Sequence, residues 1–203
     1  MEKYRLIIAD PPWRYNDQGT RLSPNYEGEQ RKSGIRYKTM SLEEICALGG
    51  WVKSITAPDA ILLLWSTHPI KFTHPAPVIA AWGFKYSTTI PWLKGRWDVK
   101  RGLFVPHIGG GKTTRACSEE LLVCLMGKGA SLVKDRGIPG YIIAPRGKEH
   151  SGKPEQQYEI AERMVPGGPF MELFAKHRRH GWDAWGDQLR INEGDADGNF
   201  KAV

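Results

Sequence analysis

Near the N-terminus, Asp10-Pro11-Pro12-Trp13 combines a carboxylate, two rigid residues and a large aromatic. Consecutive prolines fix φ twice and hold the residue before each in extended geometry, so the Asp10 carboxylate and the nearby carbonyls keep fixed directions. A fixed pair of acceptors beside an aromatic face suits a planar substrate that carries an NH2 group. The exocyclic amine of a nucleobase is a poor nucleophile, because its lone pair is delocalised into the ring. Accepting its two hydrogens at Asp10 and at the Pro11 carbonyl would draw the nitrogen toward tetrahedral geometry and aim the lone pair at an electrophile. This is orientation plus electrostatic stabilisation rather than general-base catalysis. The catalytic candidates are therefore Asp10, Pro11, Pro12 and Trp13.

Such a corner needs a scaffold. Leu6-Ile7-Ile8-Ala9, Ile61-Leu62-Leu63-Leu64-Trp65 and Leu121-Leu122-Val123-Cys124-Leu125 are short apolar runs without alternation. They read as strands buried on both faces, hence a mainly parallel sheet under helices. Ser41-Leu42-Glu43-Glu44 is a capping-box pattern that opens a helix through about residue 54. A second helix is expected over 76–82, stopping at Gly83, and a third from Pro154, as a first helical position, to the Pro166-Gly167-Gly168 stop. Phe170–Phe174 and Trp182–Trp185 read as further strands. Strands alternating with helices imply an α/β fold whose ligands sit at the carboxyl ends of the strands, where Asp10 falls.

The formal net charge is +7, and its distribution says more than its size. Residues 14–40 carry +3 and residues 94–115 carry +5, so the rest of the chain sums to −1. Both stretches are rich in glycine and read as loops inserted in the domain. Tyr15, Tyr26, Tyr37, Trp97 and Phe104 are interleaved with the bases. That pairing gives phosphate attraction plus base stacking, as in polynucleotide grooves. Nucleic-acid contacts are expected from Arg14, Tyr15, Arg31, Lys32, Arg36 and Tyr37 in the first stretch. In the second they are expected from Lys94, Lys100, Arg101, Lys112 and Arg115.

Length and composition remove other classes. A chain of 203 residues, 40% hydrophobic and 25% charged, is ordinary for one globular domain. No apolar run approaches the ~18 residues of a membrane span, and the run after Met1–Arg5 is too short for a signal-peptide core. Three cysteines without a C-x-x-C pair argue against a disulfide framework, and no ligand set for a metal is evident. The expectation is a cytoplasmic protein. Gly109-Gly110-Gly111-Lys112-Thr113 has the look of a phosphate loop, but the position five residues before Gly111, where that signature needs glycine, is Pro106.

Together the residues resemble the adenine-N6 methyltransferases with a DPPW catalytic motif, a family that includes the eukaryotic mRNA-modifying enzyme and bacterial and phage DNA relatives. The likeness extends through Tyr37-Lys38-Thr39-Met40-Ser41-Leu42, Trp82-Gly83-Phe84, His150-Ser151-Gly152-Lys153-Pro154, Glu172-Leu173-Phe174 and Gly181-Trp182-Asp183-Ala184-Trp185-Gly186. The resemblance implies a Rossmann-like methyltransferase domain over 1–190 in permuted motif order and S-adenosylmethionine as methyl donor, while the Gly, Asp and Asn from Asp195 onward read as a flexible tail over 195–203. It implies that Lys153 pairs with the methionine carboxylate and that Asp10 lies near the cofactor's amino group as well as the target amine. Glu172, Lys176, Asp187 and Gln188 fall at cofactor positions, with ribose hydroxyls the natural partners of Glu172, Asp187 and Gln188. Two of these depart from the family's usual residues: Asp187 stands where Asn is common and Lys176 where Arg is common. Lys lacks the planar fork of Arg. The family's members also use backbone upstream of the catalytic strand around the cofactor adenine, whereas nine residues precede Asp10 here.

The resemblance implies adenine methylation in nucleic acid, DNA before RNA, on a flipped or single-stranded base. Cytosine-N4 methylation is the chemical alternative, although those enzymes more often place Ser at the Asp10 position. An inactive nucleic-acid-binding relative is the other.

Overall fold

The computed structural model describes residues 3–14, 39–109, 113–145, 152–187 and 189. Tyr15, Arg31, Lys32, Arg36, Tyr37, Lys112, Gln188 and the 195–203 tail lie outside them.

The first strand, β1 (Tyr4–Ala9), pairs in parallel with β2 (Thr56–Ser66) on one side and β7 (Phe170–Leu173) on the other. Beyond β7 lies β8 (Trp182–Trp185), also parallel. These four strands end on the same side of the sheet, at Ala9, Ser66, Leu173 and Trp185. The other half runs through β5 (Ser118–Met126) to β3 (Lys85–Asp98) and β4 (Leu103–Pro106), with β6 (Ile142–Pro145) also paired to β3. Only the β3–β6 pairing is parallel in that half.

The unbroken apolar run of β1 follows from cover on both faces. Leu6 and Ile8 pack with Ile61, Leu63, Trp65 and the buried side of α4 (Gln156–Met164) through Ile160, Ala161 and Met164. Ile7 and Ala9 face the opposite way, with Leu62 and Leu64, onto α1 (Leu42–Ala47), α2 (Gly49–Ile55) and α3 (Pro75–Ala81) through Ile45, Val52, Val78 and Ile79. Each buried Leu, Ile, Val or Met among these contributes about 1.5–3 kcal/mol by leaving water.

Local signals hold where they are chemical. Ser41 and Glu44 form the reciprocal capping box, with Glu44 N–H donating to Ser41 Oγ at 3.2 Å and Ser41 N–H to Glu44 Oε2 at 2.6 Å. Gly83, at φ +84°, ends α3 in a Schellman turn: Phe84 N–H reaches Ile79 O at 2.9 Å and Gly83 N–H reaches Ala80 O at 3.0 Å.

Four expectations need correction. The helix expected through about residue 54 breaks at Leu48 into α1 and α2. The run Leu121–Leu125 is a strand, but β5 runs antiparallel to β2, because an unbroken apolar run reports cover on both faces and not strand direction. The stretch 94–115 is not one loop. Lys94–Asp98 finishes β3, and Leu103–Pro106 returns as β4, with Trp97 opposite Phe104 in register. Pro154 precedes α4, whose N-cap is Glu155, instead of opening it.

Candidate active site

Asp10 follows the last residue of β1, its N–H pointing at Leu173 O of the neighbouring strand at 3.4 Å. The two prolines turn the chain. Trp13 N–H returns to Pro11 O at 2.8 Å, and Met40 N–H meets Pro12 O at 2.8 Å. The Pro11 carbonyl thus keeps one lone pair for another donor. Trp13 does not offer a stacking face at the mouth as the sequence suggested. It is 4% exposed, and its indole N–H donates to Trp65 O at 3.1 Å.

Trp65, next to last in β2, is the second strut. Its indole N–H donates to Gln157 Oε1 of α4 at 2.7 Å, a buried bond that fixes the helix start against the strand end. Above the Trp65 ring, 5.4 Å from its centroid, sits Lys153 Nζ. The Lys153 side chain is 8% exposed, 2.7 Å from Asp10 Oδ2 and 3.2 Å from Glu119 Oε2. Glu119 Oε1 in turn takes Lys94 Nζ. Four charges therefore alternate along a row: Asp10, Lys153, Glu119, Lys94.

The row sets the protonation of its members. Burial alone would lower the Lys153 pKa, but the carboxylates of Asp10 and Glu119 outweigh it and hold the ammonium above the ordinary lysine range. Burial would raise Glu119, yet Lys153 and Lys94 together hold it below the ordinary carboxylate range. Glu119 Oε2 is buried without a directed hydrogen bond, so charge more than geometry keeps it there.

Glu172 of β7 stands opposite Ile8 in register and behaves differently. Its Oε2 accepts from Tyr158 OH at 2.9 Å. Burial pushes its pKa up to about 7; the tyrosine bond pulls the other way and the Asp10 charge adds to the rise. The same burial and the Glu172 charge push the Tyr158 phenol up.

Just beyond, Phe174 takes φ +62°, an uncommon conformation for a non-glycine residue. Gly186 lies so close to the chain that a Cβ would come within 2.5 Å of Ala175 O, which accounts for glycine after Trp185. Asp187 is exposed and Lys176 half-buried. On the other side of β1, past β2, opens a cleft of about 280 Å3 lined by Thr67, His68, Lys94, His107, Ser118 and Glu119. His68 Nε2 lies 2.9 Å from Ser118 Oγ and 3.0 Å from Glu120 Oε1.

The structure thus brings Asp10, Lys153 and Glu172 to one strand-end corner. The basic residues scatter. Arg14 is exposed; Lys100 and Arg101 sit at the β3–β4 turn, and Arg115 is exposed with its guanidinium on Gly109 O at 3.3 Å. Lys94, expected on a phosphate, is instead committed to Glu119, its side chain 16% exposed. Sequence reasoning missed Glu119, Trp65, Gln157 and Tyr158. Adjacent acids opening a buried apolar strand were the one available sign, because a carboxylate entering a core needs a partner.

An α/β sheet of this order, with its polar corner at the carboxyl ends of the parallel strands, is that of a Rossmann-like methyltransferase. Residues 4–188 match the MT-A70 family, and the chain belongs to it. It is 33% identical over 202 residues to the Type II methyltransferase M.MunI of Mycoplasma sp, covering 95% of this chain and 80% of that protein. It is 28% identical over 190 residues to the N6-methyladenosine RNA methyltransferase MTA1 of Cryphonectria parasitica, covering 92% of this chain and 52% of that one. It is 25% identical over 190 residues to the N(6)-adenosine-methyltransferase subunit METTL3 of Danio rerio, covering 92% of this chain and 28% of that one. The chain therefore spans most of the first relative and about half or less of the two eukaryotic ones.

Proposed function

We propose that the protein transfers a methyl group from S-adenosylmethionine to the exocyclic N6 amine of adenine in DNA. The observation that carries this is the position of Asp10. It ends β1 between Glu172 on the β7 side and the polar cleft beyond β2, and an acceptor that orients an amine has to stand between donor and substrate.

The residues suit the donor. S-adenosylmethionine has an amino-acid end, a ribose diol and an adenine, and bound here it would supply an electrophilic methyl on a sulfonium. Lys153 has N–H capacity beyond its bond to Asp10 for a carboxylate. Glu172 is a carboxylate that gains from hydroxyl donors, and Asp187 and Gln188 complete the diol set; Lys176 is a further cofactor contact. On the chain's side of the reaction, Asp10 Oδ and the second lone pair of Pro11 O accept the two amine hydrogens and direct the nitrogen lone pair. Trp13 serves from behind: through Trp65 O it fixes the platform under Lys153.

DNA is favoured by the likeness to a Type II methyltransferase over most of both chains; the RNA enzymes among the relatives keep RNA as the second reading. A base in a duplex cannot reach a strand-end corner, so the target is flipped or single-stranded. The exposed hairpin carrying Arg96, Trp97, Lys100 and Arg101 supplies charge and stacking surface for the polynucleotide, with Arg14, Arg115 and the basic residues of 15–38. No helix among the described residues is long and apolar enough to cross a membrane. The three cysteines are free thiols, in keeping with a bacterial cytoplasm. Transfer of a labelled methyl group to DNA and RNA oligonucleotides, followed by nucleoside analysis, tests the reading. N6-methyladenine in DNA is the expected product; label on cytosine, or on neither polymer, would overturn it.

A further inference from the structure

We propose that Lys94 is a positioning residue for methyl transfer, which holds the buried Glu119 carboxylate and through it sets where Lys153 and Asp10 stand, instead of meeting a phosphate. The proposal rests on the methyltransferase reading above.

The antiparallel register places Trp92 of β3 opposite Glu119 of β5 and sends Lys94 N–H to Cys117 O at 2.8 Å. Lys94 and Glu119 are then diagonal neighbours on adjacent strands, a separation that long side chains bridge. Lys94 reaches across to Glu119 Oε1, with Nζ 4.9 Å from the centroid of the buried Trp92 ring. The side chains of Lys94 and Glu119 are 16% and 15% exposed, unlike the surface bases of the hairpin turn. An ammonium committed to a buried carboxylate would have to abandon it to meet a phosphate. Lys153 would then be the one cation facing both Glu119 and Asp10, and an uncompensated charge at this depth costs more than an exposed ion pair returns.

The consequence reaches Asp10 because Glu119 is shared. Its Oε1 faces Lys94 from β3, and its Oε2 faces Lys153 from the segment before α4. Asp10 of β1 faces the far side of Lys153. Glu120, next in the chain, pairs elsewhere, with His68 at 3.0 Å and Lys71 at 4.0 Å, while His68 and His107 line the adjoining cleft. With Lys94 present the row sums to zero charge. Without it, Glu119 either draws Lys153 away from Asp10 or takes up a proton and leaves Asp10 as the sole counter-ion of Lys153. Both outcomes alter the oxygen that has to accept the target amine.

The test is Lys94→Met in the full chain, by single-turnover methyl transfer to an adenine-containing DNA oligonucleotide at saturating S-adenosylmethionine. The saturated rate should fall about tenfold, within the coupling of contacting residues. Oligonucleotide affinity and its salt slope should stay at parent values. The acid limb of the rate profile should move to higher pH, because Glu119 has lost a cation. Lys94→Arg should recover most of the rate. The second reading is the effect of Lys94→Met within Glu119→Gln, where no carboxylate remains to be held; there the rate should change by less than about twofold. That comparison also serves if the single variant fails to fold, because the double variant no longer buries an uncompensated charge. An unchanged saturated rate with weaker binding and a flatter salt slope would make Lys94 a phosphate contact and overturn the proposal, as would equal losses in the two backgrounds. A parent protein that methylates no polynucleotide would overturn the reading beneath it instead.

Discussion

Glu172 gives a prediction whose size and sign both follow from its surroundings. Burial, partly offset by the Tyr158 hydrogen bond and reinforced by the Asp10 charge, raises this carboxyl from 4.5 to about 7. The folded protein therefore holds this proton more tightly than the unfolded chain. The contribution to stability is complete below about pH 4.5, declines as pH rises, and is gone above about 7. At ~1.36 kcal/mol per pH unit the span amounts to ~3 kcal/mol. Glu172→Gln keeps the shape without the titration, so it should match the parent near pH 4 and exceed it by up to ~3 kcal/mol near pH 8. In a domain of this size that is roughly 6–12 °C in Tm. Urea unfolding of parent and variant from pH 4 to 8.5 measures the difference, and subtracting the curves removes every other titrating group. Parallel curves would refute the burial of an ionisable Glu172. The same proton couples to the cofactor. Ribose hydroxyls donating to Glu172 favour its ionised form, so S-adenosylmethionine should bind more tightly as pH rises toward 7 and release a proton below it. Calorimetry in buffers of different ionisation enthalpy reads that proton, which should vanish in Glu172→Gln.

The remaining predictions concern the rest of the corner and the hairpin. Asp10→Asn, which can turn an NH2 toward the target amine, should lose ~3–4 kcal/mol of transition-state stabilisation, a hundred- to thousandfold in single-turnover rate; a folded variant within about threefold of the parent would remove Asp10 from the chemistry. Lys153→Ala should weaken S-adenosylmethionine about ten- to hundredfold by calorimetry. It should also lower stability by about 3–5 kcal/mol, because Asp10 loses its cation and Glu119 keeps only Lys94. Replacing Lys100, Arg101, Lys112 and Arg115 by Gln should flatten the salt dependence of duplex binding by about 0.9 in log-log slope per lost phosphate contact while leaving cofactor affinity intact. An unchanged slope would move the polynucleotide off the hairpin.

What could be read from the chain alone divides along a physical line. Asp10 was legible because two prolines and a buried strand fix it within four residues of sequence. Lys153 and Glu172 were legible only through resemblance, since nothing near them in sequence reveals a partner. Glu119 was not legible because its role depends on a register between β3 and β5, which pairs Trp92 with Glu119 across a long connection. The hairpin read as loop because Gly95, Gly102 and Pro106 carry turn signals, and because the outer strands are too exposed to show an apolar run. Trp13 was misjudged for a simpler reason. An aromatic at a strand mouth can face the ligand or the core, and the Trp65 carbonyl that takes its N–H is fifty-two positions away.

The buried row and the exposed hairpin put rate and affinity under separate control. Lys153 and Glu119 are held by neighbours inside the protein, with Trp13, Trp65 and Gln157 fixing the platform beneath them, so Asp10, the proposed amine acceptor, is oriented before any substrate would arrive. Such preorganisation avoids reorganisation at the moment of reaction and gains strength in a site shielded from water. On the proposed function, attraction to the polynucleotide would come instead from solvent-exposed bases, where salt screens it and individual contacts contribute little. Counting Lys94 among those bases, as its sequence neighbourhood invites, would place it on the wrong side of that division. Its carboxylate partner and its burial set it with the chemistry.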